Sequence, residues 1–338
     1  MAITTLISYP VAGNISADFA PKDEENVKLT FATVSDTHMK VSATRAFMLE
    51  LGLSDMENSD YRLDALVHAG DITDHAYEEQ WQKTVDVFSK YDPADNIILS
   101  VGNHDTWGSD EDDRFPESQE RFMKYAGQIM GKELEKTYYS TKVNGYTFVV
   151  MSSEDDGTDA YVSDEQIAWL DATMAEAAKD NLPIFVVFHL PINNSHGLPV
   201  TWGDDEPEPM DGGSGEQSEK VEAVLQKYKN VIYISGHLHL GMGDKITPKL
   251  WNYRSVETYG NITSINLPCY MYFNPMGQIM SGTGFVFEVY DDYVLVRGRS
   301  YSSNVWYTAY EYKIDIKKLK EKQQRFALCK PLPFFYLT

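Results

Sequence analysis

The 338-residue chain is 43% hydrophobic and 24% charged, proportions that build a sizeable core and exclude a wholly disordered protein. Fifty-one acidic against 29 basic residues give a formal charge of −22 with no basic stripe, which excludes a partner such as long nucleic acid. No run approaches the roughly 18 apolar residues of a membrane span, and the two cysteines, Cys269 and Cys329, stand outside any zinc-finger spacing.

In chain order, residues 1–27 read as an extended lead-in. Their start, MAITTLISYPVAG, lacks the positive n-region and long apolar h-region of a secretion signal, which suits a cytoplasmic location and leaves a secreted one open. Residues 28–35 (KLTFATVS), 64–69 (DALVHA) and 96–101 (NIILSV) are predicted strands, rich in β-branched and apolar side chains. Between the last two, residues 77–90 have helical spacing and open with acids, which suit a helix N-terminus. Strands alternating with helices predict a layered α/β domain. Residues 137–152 hold two apolar runs joined by Asn144-Gly145, a strong hairpin signal. Residues 163–179 form a predicted helix with Ser163 as N-cap and Gln166 at the capping-box position. A strand over 183–190, a helix over 219–229 and a strand over 231–235 follow, and the chain is mostly β from 255, with a hairpin over 284–299 turning at Asp291-Asp292. The domain is read as 28–315, its closing β-rich part as 255–315, and the apolar tail 316–338 as packing on the core or on another copy. The acidic Gly/Pro-bearing loop 201–219 reads equally as a lid or a surface excursion.

Five short motifs each follow a predicted strand: Asp36-Thr37-His38, Gly70-Asp71-Ile72-Thr73-Asp74, Gly102-Asn103-His104-Asp105, His189 within FHLP, and Gly236-His237-Leu238-His239. Catalytic and binding groups in α/β sheets gather beyond the carboxyl ends of strands. In D-x-H and H-x-H the two groups are spaced so that a strand-like backbone points both to one face. Imidazole mixed with carboxylate suits Zn, Fe, Mn and Ni, whereas an all-oxygen set suits Mg or Ca. Bound cations also reverse the local field, so the acidic chain still accepts a small phosphate ester.

This ordered set resembles the calcineurin-like metallophosphoesterase superfamily, over roughly residues 29–240, and within it the bacterial phosphodiesterase-like branch. The resemblance implies a four-layer α/β/β/α sandwich of two mixed β-sheets flanked by helices, as in metallo-dependent phosphatases. It implies that Asp36, His38 and His239 bind one metal, that Asn103, His189 and His237 bind the other, and that Asp71 bridges them. The cofactors implied are two divalent or trivalent transition-metal ions, with Mn, Fe and Zn all open. The implied reaction is hydrolysis of a small phosphate ester by hydroxide generated at the metal pair, with diesters favoured over monoesters. A phosphomonoesterase or nucleotidase and a non-catalytic scaffold are the alternatives. His104 is the candidate for steadying a phosphate oxygen or protonating the leaving group, with Asp105 orienting its ring. Asp74 is expected behind the metal ligands or in a turn. His196 is a possible substrate contact, with loop surface as its ordinary reading; His68 and His75 read as strand packing and turn. Trp107, Trp202, Tyr270 and Tyr272 read either as core or as surfaces on which a base or sugar stacks.

Overall fold

The computed structural model describes residues 18–107, 114–154, 160–197, 213–243, 253–271 and 282–316. Residues 1–17, the acids of 109–113, most of the 201–219 loop, Trp202, Tyr272, Cys329 and the tail from 317 lie outside them.

The elements run β1 (Leu29–Val34), α1 (Ala43–Glu57), β2 (Ala65–His68), α2 (Glu78–Phe88), β3 (Ile97–Leu99), α3 (Arg114–Met130), β4 (Tyr139–Val143), β5 (Tyr146–Val150), α4 (Asp164–Ala177), β6 (Ile184–Val187), α5 (Ser218–Leu225), β7 (Val231–Ser235), β8 (Val256–Tyr259), β9 (Ile262–Asn266), β10 (Thr283–Val289), β11 (Tyr293–Ser300) and β12 (Val305–Asp315). They form two mixed six-stranded sheets, ordered β12-β11-β10-β1-β2-β3 and β4-β5-β6-β7-β9-β8. In the first, β1, β2 and β3 are parallel; in the second, β5, β6, β7 and β9 are. The parallel strands of each sheet all point toward the same end of it, which gathers the five motifs there.

The inner faces of the sheets meet in one apolar core. Phe31 stacks on Phe287 (ring centroids 4.4 Å) and meets Phe148 and Phe185 edge-on at 5.2 and 5.0 Å. Quadrupole attraction favours such edge-on contacts over flat sandwiches. On the outer face of the first sheet, Leu49, Leu53 and Met56 of α1 pack on Ala32, Val34 and Leu66, while Trp81 and Phe122 pack beside Leu99. On the outer face of the second, Leu170 and Met174 of α4 and Val221 and Leu225 of α5 cover Val149, Val186 and Tyr233. The chain is therefore the expected four-layer sandwich.

Local signals account for several elements. Asn144 (φ 49°) and Gly145 (φ 85°) both take the left-handed conformation that a tight hairpin requires. The Ser163 hydroxyl accepts from the Gln166 backbone N–H at 3.2 Å, capping α4 as its sequence predicts. Helix α1 was not among the predicted elements; Ser42 is a suitable N-cap residue, but its side chain makes no cap bond and the first turn has no acid. Its buried face instead includes Asp55, whose partner Arg299 is remote in sequence. The Arg299 Nε and Nη2 donate to the two Asp55 oxygens at 2.7 Å each, and Asn304 donates to one of them at 2.6 Å. Removing one partner of a buried pair leaves an uncompensated charge, so Asp55→Ala is expected to cost about 3–5 kcal/mol of stability. Chemical denaturation of the two proteins measures it; a loss below about 1 kcal/mol would show that the pair is dispensable.

Candidate active site

The loops after β1 and β2 are zipped together by their backbones. Asp36 N–H donates to Gly70 O at 3.0 Å, His38 N–H to Asp71 O at 2.9 Å, and Met39 N–H to Ile72 O at 2.8 Å. Asp36 (φ 57°), His38 (40°), Asp71 (53°), His237 (71°) and His239 (49°) all hold the left-handed conformation. Side chains other than glycine pay on the order of 1–3 kcal/mol there, and such strain collects at functional sites. Close approach is needed as well. A Cβ on Gly102 would sit 2.2 Å from the Asp71 backbone nitrogen and Oδ1, and one on Gly70 (φ 92°) would sit 2.7 Å from the His189 ring.

One group is formed by Asp36, His38, Asp71 and His239, with one donor atom of each within 4.8 Å of the others. His239 Nε2 is 3.2 Å from Asp36 Oδ1 and 3.0 Å from His38 Nε2, and His38 Nε2 is 3.5 Å from Asp71 Oδ2. On the other side of Asp71, its Oδ2 lies 3.3 Å from His189 Nε2. The His189 ring is 5.2 Å from that of His237, whose Nδ1 is 2.9 Å from Asn103 Oδ1. All seven residues named from the motifs thus converge, and Asp71 sits between the two halves.

Three inward-facing atoms, Asp36 Oδ2, Asp71 Oδ2 and His189 Nε2, are buried with no hydrogen-bond partner among the described residues. His189 Nε2 is near Asp71 Oδ2 but out of hydrogen-bond geometry. A buried polar atom left unsatisfied costs roughly 1–3 kcal/mol, so such a cluster fits cations. Its mixture of imidazole, carboxylate and one amide oxygen suits transition metals. His189 Nδ1 donates to the Ala69 carbonyl at 2.7 Å, which fixes the tautomer that turns Nε2 inward.

Electrostatics follow from packing charges out of water. Burial alone would raise Asp36, but its hydrogen bond to His239 and the charges of His239 and His189 hold it well below the usual carboxylate range. Asp71 is likewise held low against its burial, chiefly by His189 and His104. Burial opposes a proton on His189, yet Asp71 and Asp36 outweigh it and raise the ring to about 9. Burial and the His189 charge push His237 down to about 3. In the metal-free cluster the two carboxylates are thus balanced by protons, a role that bound cations take over.

His104 lies beside the cluster, 4.4 Å from the His38 ring, and its backbone N–H donates to Asp71 Oδ1 at 2.9 Å. Asp105 does not orient its ring, contrary to the sequence expectation. Asp105 Oδ1 accepts from the Thr73 backbone and hydroxyl, and Oδ2 from the Ile72 and Gly102 backbones, at 2.7–3.0 Å. Its carboxylate builds the turn that presents Asp71. The His104 ring is set by its Nδ1–H, which donates to the Asp74 backbone carbonyl at 2.7 Å. The Asp74 carboxylate lies 3.8 Å from His38 Nδ1 and meets Lys40 Nζ at 2.7 Å and His75 Nδ1 at 2.5 Å. Lys40 and His75 were not singled out for the site, although their places directly beside the D-x-H and G-D-x-x-D motifs were the available signal.

His196 departs from both of its sequence readings. It is fully buried, with Nδ1 donating to Arg254 O at 2.8 Å and Nε2 accepting from Ser264 at 3.0 Å, so it ties a loop to β9. His68 is buried strand packing, 2.8 Å from the Thr37 hydroxyl. Burial lowers His196 to about 4. An unfolded His titrates near 6.5, so the unfolded chain binds the extra proton first and stability falls as pH drops from about 6.5 toward 4. With His196→Asn, which keeps a donor for Arg254 O, the stability advantage of the wild-type metal-free protein is expected to shrink between pH 7 and pH 5. A gap that does not change with pH in urea titrations would contradict this.

A helix–sheet–sheet–helix sandwich thus brings His and Asp donors together at its strand ends in a cluster able to ligate metal. The chain belongs to the calcineurin-like phosphoesterase family, whose family model matches residues 29–241. Among solved structures it is similar to a dimetal phosphatase from Danio rerio at TM-score 0.58 and 14% identity, covering 86% of this chain and 100% of that one. It is also similar to the purple acid phosphatase PPD1 of yellow lupin seeds at TM-score 0.56 and 14% identity, covering 98% of this chain and 58% of that one. At this identity the likenesses concern the fold. No curated protein matches the sequence significantly.

Proposed function

We propose that the protein hydrolyses small phosphodiesters with two transition-metal ions held by the seven clustered residues. Asp36, His38 and His239 would hold one, Asn103, His189 and His237 the other, and Asp71 both. The observation that carries this reading is the convergence of donors from five separate loops around three buried polar atoms that make no hydrogen bond among the described residues. Bound there, the cations supply Lewis acidity and a nucleophile at neutral pH. The residues themselves do the rest. The strained loops hold the donors in place before substrate arrives, so little reorganisation is left for the reaction. His104, with Nδ1–H committed to Asp74 O, presents Nε2 to the substrate and delivers a proton to the departing oxygen when its ring is charged.

The diester preference rests on Gly102-Asn103-His104-Asp105, a motif closer to the phosphodiesterase-like branch of the family than to the protein phosphatases. Lys40, a cation beside the site, is already paired with Asp74. The test is hydrolysis of bis(p-nitrophenyl) phosphate against p-nitrophenyl phosphate, with Mn²⁺, Fe²⁺ or Zn²⁺ and with a chelator. Faster metal-dependent cleavage of the diester supports the reading. Turnover of the monoester alone replaces it with a phosphatase, and no turnover by folded, metal-loaded protein favours a scaffold.

A further inference from the structure

The surface next to His104 is aromatic. The Trp107 ring lies 3.8 Å from the His104 ring, centroid to centroid, tilted by 39°. His75 meets Trp107 edge-on at 5.9 Å and stacks on Tyr77 at 5.6 Å. These are not core side chains: Trp107 belongs to no hydrophobic cluster among the described residues, the His75 side chain is 45% exposed, and Tyr77 is 36% exposed. The Trp107 ring packs on that of His104, which is itself anchored by the Asp74 carbonyl.

We propose that Trp107, with His75 and Tyr77, forms a stacking platform for a planar ring carried by the leaving alcohol of the substrate, a nucleobase or aryl group. The inference rests on the proposed role of His104. If His104 Nε2 protonates the departing oxygen, the substituent on that oxygen emerges on the His104 side, where the aromatic surface lies. In the hydrolysis, water adds to phosphorus and releases a proton, the bond from phosphorus to the leaving oxygen breaks, that oxygen takes the His104 proton, and the ring regains a proton from solvent, where the water's proton has gone. A neutral ring suits this surface better than further phosphates would, since the chain carries a net charge of −22. Stacking on an aromatic side chain tolerates any flat ring, because every base has a π-face.

The test uses the metal-loaded full chain and the methyl diester of adenosine 5′-phosphate, whose two alcohols differ little in acidity. The platform predicts release of adenosine and methyl phosphate over methanol and adenosine 5′-phosphate, and faster turnover than for the methyl diester of ribose 5-phosphate, by about 10-fold. Trp107→Ala should even out the two products and remove the advantage, while Trp107→Phe should keep most of it. Free adenosine should compete with the ribose diester in the wild type and compete less in Trp107→Ala. The same comparison with benzyl and ethyl methyl phosphates separates an aryl from a nucleoside preference. Turnover with equal products and no advantage for the ring, in a wild type that cleaves both diesters, overturns the platform. No turnover of any ester overturns the proposed function instead.

Discussion

Asp71→Asn is expected to lower kcat/KM for a phosphate ester by at least about 10³-fold, on the order of 4 kcal/mol of lost transition-state stabilisation. Asp71 Oδ2 faces His38 at 3.5 Å and His189 at 3.3 Å, so its charge serves both halves of the cluster. The substitution isolates that charge. An amide oxygen still accepts from the His104 backbone N–H, as Asp71 Oδ1 does at 2.9 Å. The turn is not disturbed, because Asn adopts the left-handed conformation of this position (φ 53°) more readily than most residues. The metal-free variant should therefore keep the fold, less stable than the wild type because the buried His189 loses its charge partner, while binding fewer ions, read by circular dichroism and elemental analysis. A variant that keeps both ions and most of its activity would remove Asp71 from the centre of the site.

His104→Asn should leave metal content unchanged and lower kcat by about 10²–10³-fold. His104 Nδ1 is committed to the Asp74 carbonyl, and its ring stands beside the donor cluster, 4.4 Å from His38. A group that protonates the leaving oxygen matters most when that oxygen is a poor leaving group. The loss should thus be larger for an alkyl ester than for a p-nitrophenyl ester. Equal losses for both would assign His104 to holding a phosphate oxygen rather than to proton delivery.

The sequence was most legible where chemistry is tied to strand ends. Asp36, Asp71, Asn103, His189 and His237 each follow a parallel strand or its short turn, so a reading of strand plus motif placed them near one another before any coordinates. Local turn and cap signals, such as Asn144-Gly145 and Ser163, were equally plain. What escaped was decided by partners distant in the chain. The carboxylate of Asp105 could face either the neighbouring ring or the backbone of the preceding motif, and adjacency in sequence favoured the wrong one; the backbone N–H groups of Ile72 and Thr73 won it. His196 took its place from Arg254 and Ser264, 58 and 68 residues on. Helix α1 has only a weak start signal in Ser42 and is settled by packing on the sheet and by the Asp55–Arg299 pair. The aromatic surface at Trp107 was visible only as one of four candidate residues, because exposure and ring contacts are properties of the fold.

The two-ion site is tested most directly by titrating chelator-stripped protein with Mn²⁺, Fe²⁺ and Zn²⁺. Bound ions per chain and cleavage of bis(p-nitrophenyl) phosphate are followed together, in the wild type and in Asn103→Ala and His239→Ala. Two ions per chain are predicted, with turnover rising as the second binds, and each variant should lose one ion and nearly all activity. Full activity in the stripped protein, or two ions still bound in both variants, would contradict it.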